Sequence, residues 1–145
     1  MSEGVLESGE HERKITMIPN SCDLELFENR NSPAKQVLDQ KIFKDNFTLI
    51  HPGSMGEANG LDYIVKAAKL LKEKEINDVV FLLTGDGKTR PVLEEFCRKH
   101  NLSNVIFTGN IPKKDMPALL AEVDVTITSF KNVPILATNS PNKFF

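Results

Sequence analysis

From Asn46 onward, short β-branched and apolar runs alternate with stretches whose apolar residues recur at helical spacing, the pattern of successive strand-helix-strand units around a parallel sheet. Phe47-Thr48-Leu49-Ile50-His51 predicts a first strand. Between Gly60 and Lys74, Leu61, Ile64, Val65, Ala68 and Leu71 predict a helix, with Asn59 as its cap and Lys69, Lys72 and Lys74 toward its negative end. Val79-Val80-Phe81-Leu82-Leu83 is almost wholly apolar, as strands covered on both faces are. A second helix follows, with Thr89 as its cap and Leu93, Phe96, Cys97 and His100 on one side. Val105-Ile106-Phe107-Thr108 and Val125-Thr126-Ile127-Thr128 predict two more strands, and the helix between them places Met116, Leu119, Leu120 and Val123 on one face. The fold class expected is α/β: a Rossmann-like, doubly wound parallel sheet with right-handed crossovers.

The flanks are less regular. Lys14-Ile15-Thr16-Met17-Ile18 predicts a short strand ending at Pro19-Asn20, and Glu28 to Pro33 is polar enough for a loop, so residues 1–45 are assigned to an inter-domain segment and linker and 46–145 to the domain proper. Ser140-Pro141-Asn142-Lys143 has the form of a cap and first helical turn, yet Phe144-Phe145 follow at once and the chain stops. A helix that short is not stable alone, so the natural chain is expected to continue.

Composition narrows the class. With 145 residues, 40% of them apolar, the chain can bury one core. Eighteen Lys and Arg against 20 Asp and Glu leave a net charge of −2, without the general basic excess that draws a protein to nucleic acid or anionic lipid. Cys22 and Cys97 are isolated thiols with neither a C-x-x-C pair nor a neighbouring His at ligand spacing, which fits a reducing compartment. No run approaches the length of a membrane span and the acidic start lacks a signal-peptide core, so a cytoplasmic location is expected. The sequons at Asn46 and Asn101 are discounted on the same ground.

The candidate chemistry lies in the turns after the strands: Pro52-Gly53-Ser54-Met55-Gly56, Gly85-Asp86-Gly87-Lys88, Gly109-Asn110-Ile111, and Ser129-Phe130. In an open parallel sheet all four leave strands on one edge, where helix amino ends offer unpaired N–H groups and partial positive charge to a phosphate. Each glycine alone has an ordinary steric explanation as a strand-to-helix turn; their recurrence on one edge favours a ligand. Gly87-Lys88-Thr89 imitates the end of a P-loop, but Leu82 stands where that motif requires glycine. Met55 and Ala58 likewise break the dinucleotide fingerprint and no acidic residue ends the following strand, which argues against a nicotinamide enzyme.

Taken in order, Ile15 to Asp23 with Phe27, then Gly53-Ser54-Met55-Gly56, Gly85-Asp86-Gly87, Val105 to Pro112, and Ser140-Pro141-Asn142-Lys143-Phe144, the chain resembles family 4 glycosyltransferases, especially bacterial members that build lipopolysaccharide or capsule. The resemblance implies the carboxyl-terminal, nucleotide-sugar-binding half of a two-domain GT-B enzyme. It implies that Gly53, Ser54, Met55 and Gly56 approach the donor diphosphate, that Gly85, Gly87 and Lys88 border the nucleotide, that Ile111 meets the base through its main chain, and that Asn110 belongs to the same donor-binding set. Ser140, Asn142 and Lys143 would lead into a helix whose amino end faces the phosphates, with Lys143 either a charge on that site or a solvated helix residue.

Departures from the family pattern accompany the likeness. Many relatives carry Arg after the first glycine and Lys five residues on; here Ser54 and Asn59 stand there. Thr138 replaces the first of a paired set of acidic residues. His51 and Asp86 resemble an acid and base, but a strand-end His and a turn Asp are more often structural, and neither is assigned a catalytic role. The resemblance implies sugar transfer with retention, without a cofactor or bound metal, and an amino-terminal acceptor domain as partner, so that this chain alone would be inactive. Peripheral association of the full-length enzyme with the inner face of the membrane stays an option. So do a non-catalytic homologue that has lost donor binding and another nucleotide-sugar enzyme.

Overall fold

The apolar runs pair side by side as the alternation requires. In the computed structural model, which describes residues 38–134 and 136 together with 7–9, 11, 16, 25 and 27, the strands are β1 (Phe47–Pro52), β2 (Val79–Thr84), β3 (Val105–Gly109) and β4 (Val125–Thr126). All pairings are parallel and the order is β3-β2-β1-β4. The helices are α1 (Gln40–Asp45), α2 (Leu61–Glu73), α3 (Arg90–Lys99) and α4 (Met116–Leu120), with 3-10 turns at Glu57–Asn59 and Lys113–Asp115. Strand residues alternate between two cores. Leu49, Phe81, Leu83, Val105 and Phe107 pack with Leu61, Ile64, Val65 and Ala68 of α2 and Leu93 and Cys97 of α3. Ile50, Val80, Leu82 and Ile106 face the other way, onto Ile42 and Phe43 of α1 and Met116, Leu119 and Leu120 of α4. With helices on both faces, the fold is the α/β Rossmann-like arrangement expected, and its strand order reverses between β1 and β4.

Several local expectations are corrected. Asn59 does not cap α2: Gly60, at φ 56, is the cap residue, and the Asn59 amide turns back to the Ser54 carbonyl at 2.6 Å and its Oγ at 3.2 Å. Thr89 holds the cap position of α3, but its hydroxyl donates to the Met55 carbonyl at 2.6 Å and makes no capping bond. Lys72 does lie in the last turn of α2 as expected, and its ammonium also donates to the carbonyls of His100 (3.1 Å) and Asn101 (2.7 Å) beyond α3. β4 is two residues long rather than four, although the Ile127 N–H still donates to Ile50 O at 2.8 Å. α4 stops at Leu120 rather than reaching Val123, because the chain must leave the helix for Asp124 to meet Thr48. The helix α1 was not anticipated; with Leu38 it carries core packing upstream of Asn46. The strand expected over Lys14 to Ile18, apart from Thr16, and the loop at Glu28 to Pro33 lie outside the described residues, as do Cys22, Thr138, Ser140, Asn142 and Lys143.

Candidate functional site

Because every strand runs the same way, the loops after β1, β2, β3 and β4 gather on one edge, and main-chain bonds clip them together. The β1 loop is central. Its Gly53 N–H donates to Thr84 O (3.2 Å) and its Met55 N–H to Asp86 O (2.8 Å), while Met55 O accepts from the Thr89 N–H (3.0 Å). The β2 loop is tied onward by the Gly85 N–H to Gly109 O at 2.7 Å. On the other side, the Ser129 hydroxyl donates to Asn59 O (2.6 Å) and the Lys131 N–H to Ala58 O (2.9 Å). A loop fastened on both sides has lost most of its conformational entropy before any ligand arrives.

The glycines divide into two kinds. A Cβ on Gly85, at φ +104, would lie 2.1 Å from Gly53 O, and one on Gly87, at φ +157, 2.6 Å from Met55 O. Packing of one loop on the next therefore accounts for both residues. Gly56 differs: its φ is −83, and a Cβ there would meet only the Asn59 amide nitrogen, at 3.8 Å. Folding makes no demand for glycine at that position. Main-chain donors divide in the same way. The N–H groups of Gly53, Met55 and Gly85 are bonded as above and that of Gly87 donates to the Asp86 carboxylate at 2.7 Å, whereas those of Ser54 and Gly56 meet no acceptor among the described residues.

The other expected site residues take up distinct places. Met55 is fully buried and knits the β1 and β2 loops rather than facing outward. Lys88 is exposed and pairs with Glu57 at 2.8 Å. Asn110 is exposed, and Ile111 packs its side chain on the second core, leaving its main chain at the edge. His51 is fully buried, its Nδ1 3.3 Å from Ile127 O, and Asp86 is engaged with the Gly87 N–H. Sequence reasoning missed Glu57 and Lys131 as parts of this edge; it placed Ser129 there as a strand-end turn residue but could not foresee the bond that ties it to Asn59, 70 positions away. It also missed a clasp at the opposite end of the strands, between the start of β1 and the residue before β4. The Asp124 carboxylate accepts from the N–H and hydroxyl of buried Thr48 at 2.7 and 2.9 Å. Those bonds hold the Asp124 carboxyl below the usual carboxylate range. Among the described residues no group of three or more His, Cys, Asp or Glu could hold a metal ion, and no helix is long and apolar enough to cross a membrane.

A clipped row of strand-end loops beside the strand-order reversal is where nucleotide-binding α/β sheets take their ligands. The chain belongs to the glycosyl transferases group 1 family, whose model matches residues 34–137. It is 28% identical over 138 residues to EpsF of Bacillus subtilis, a protein named as a glycosyltransferase, covering 90% of this chain and 34% of that one. Among solved structures it resembles Anabaena HepE in complex with UDP-glucose, with a TM-score of 0.68 and 20% identity over 88% of this chain and 35% of that one. It also resembles the C-terminal domain of the group 1 family protein LpcC from Francisella tularensis, with a TM-score of 0.53 and 21% identity over 73% of this chain and 57% of that one. The chain spans between 24% and 34% of the length of the curated relatives it matches.

Proposed function

We propose that this chain is the donor-binding, carboxyl-terminal half of a retaining GT-B glycosyltransferase, of the family 4 kind that transfers sugars in polysaccharide or lipopolysaccharide synthesis. The donor is a nucleoside diphosphate sugar, UDP- or GDP-linked, and no cofactor or resident metal takes part. Its diphosphate lies against the Ser54 and Gly56 N–H groups, where two directed donors match the charge that grows on the leaving diphosphate as the glycosidic bond breaks. Gly53 and Met55 shape that loop, Gly85, Gly87 and Lys88 border the nucleotide, and the main chain of Asn110 and Ile111 meets the base. Ser140, Asn142 and Lys143 complete the phosphate site. The acceptor comes from a facing amino-terminal domain, so this chain by itself binds donor without turning it over. The full-length enzyme works in the cytoplasm, at or near the inner face of the membrane.

One observation carries the reading: Gly56 is a glycine that packing does not explain, beside two N–H groups that meet no acceptor among the described residues, at the strand-order reversal. Calorimetric titration of the full-length protein with UDP-, GDP- and ADP-sugars tests it, with Gly56→Ala alongside. Micromolar binding of one donor is expected, weakened at least about tenfold by Gly56→Ala at an unchanged melting temperature. Equal donor affinity in both proteins would sink this placement of the diphosphate.

A second reading has one observation in its favour. Ser54 and Asn59, standing where many relatives carry cations, satisfy one another through the Asn59 amide. That is the arrangement of a homologue that keeps the fold and has lost its donor, and the absence of binding to every nucleotide sugar would establish it.

A further inference from the structure

Two of the lysines at this edge act on one carboxylate. Glu57 follows Gly56 directly and opens the 3-10 turn in the β1 loop. Lys88, from the β2 loop, reaches it at 2.8 Å. Lys131, from beyond β4, has its N–H bonded to Ala58 O, the residue after Glu57, and its charge also acts on the carboxylate. Lys88 first, then Lys131, hold the Glu57 carboxyl below its ordinary range. An ion pair this exposed adds little to stability, so folding does not account for the Lys88–Glu57 pair that joins the β1 and β2 loops, with the β4-side residue Lys131 bonded to the main chain beside it. Arg90, the neighbouring cation on α3, is by contrast engaged at 2.7 Å with Glu94 of its own helix.

We infer that Glu57 is an internal counter-anion that holds Lys88 and Lys131 beside the Ser54 and Gly56 N–H groups, and that an incoming diphosphate displaces it and takes both lysines. The inference rests on the donor-binding reading and adds to it the residues that set its charge selectivity. No covalent bond is made or broken in the exchange: one anion replaces another at the Lys88 ammonium, and Lys131 turns from Glu57 to the incoming diphosphate. Glu57 opposes a dianionic ligand until it swings aside, so ligands with a single charge gain least from the exchange. Lys131 is thereby a phosphate-contacting residue, and Glu57 a residue that sets its availability.

Titration of the chain with UDP, inorganic pyrophosphate and uridine, in the wild type and in Glu57→Gln, Lys131→Ala and Glu57→Gln/Lys131→Ala, tests this. Glu57→Gln is expected to tighten UDP and pyrophosphate about three- to fivefold at low salt, to lose that gain at high salt, and to leave uridine unchanged. Lys131→Ala is expected to weaken UDP more in the Glu57→Gln background than in the wild type. If Lys131 serves only through its main chain, alanine there changes nothing and the inference is overturned. It is overturned equally if Glu57→Gln leaves UDP affinity unchanged or lower while the wild type still binds UDP, an outcome that spares the donor-binding reading. Failure of every variant to bind UDP or pyrophosphate removes that reading and this inference with it. Both side chains are exposed, so thermal melting shows that each variant is folded.

Discussion

The two sides of β1 are built by different means. On one side β1 and β2 pair through six residues, from Phe47 against Val79 to Pro52 against Thr84, and their loops interlock through glycines that leave no room for a Cβ. On the other side β1 and β4 pair through two residues, Leu49 against Val125 and Ile50 against Thr126, and the join relies on Asp124 holding Thr48. The first side is held by apolar burial and backbone fit, the second by a short ladder, a few loop bonds and a carboxylate in contact with solvent. The candidate donor site lies at the seam between them. In the donor-binding proposal the interlocked side is the rigid wall that preorganises the donors and the β4 side the margin that can adjust.

The largest effect is expected on the interlocked side. Gly85→Ala sets a methyl 2.1 Å from a carbonyl oxygen of another loop, at a backbone angle that L-residues avoid. Neither atom belongs to a flexible side chain, so the backbone itself must move. A loss of about 4 kcal/mol in urea unfolding is expected, near the upper end for a single substitution. A loss below about 1 kcal/mol would mean that the interlock yields easily, and the contrast between the two sides would disappear.

The interlocked side was also the more legible from sequence. Runs such as Val79 to Leu83 declare strands because they are apolar on both faces, and the fully buried Leu82 and Leu83 face opposite cores. Glycines 85 and 87 were readable as turn residues, but whether each serves a ligand or a neighbouring loop depends on contacts 32 residues away, which no local pattern encodes. Gly56 stood apart only once its surroundings could be seen. The β4 side was read less well. Thr126 and Thr128 suggested a four-residue strand, and α4 was drawn too long because periodicity cannot register that Asp124 is needed elsewhere. Asn59 and Thr89 were correctly singled out as polar residues at helix starts. Their side chains went to Ser54 and Met55, since a capping preference yields wherever a tertiary acceptor is nearer.

A smaller effect is expected from Asp124→Asn, and its pH dependence identifies the cause. The folded-state pKa of Asp124 lies below its unfolded value. Its contribution is therefore present above the ordinary carboxylate pKa of about 4 and is lost as pH falls through the folded value. Urea midpoints of the variant should fall below wild type at pH 7, with the gap closing toward pH 3. Backbone exchange at the β4 pairing should quicken while that at β2 stays slow. A gap that persists unchanged in acid would show that the carboxylate's charge is not what holds this side.

The smallest perturbation uses Cys97 as a reporter from inside the interlocked half. Its side chain sits in the core that α3 closes over the sheet, and burial, helped by the charge of Glu94, pushes its thiol up to about 11. In a Cys22→Ser variant Cys97 is the only thiol, and at pH 8 it should resist iodoacetamide in native buffer while reacting fully in urea. The unfolded thiol ionises first as pH rises past about 8.5, so stability should decline from there toward the folded value. The labelling rate sharpens the comparison further. If the interlocked half opens only when the whole chain unfolds, labelling follows global stability, and Asp124→Asn speeds it only as far as it lowers that stability. Rapid native-state labelling of Cys97, with the β4 pairing still protected from exchange, would reverse the assignment of which side is rigid.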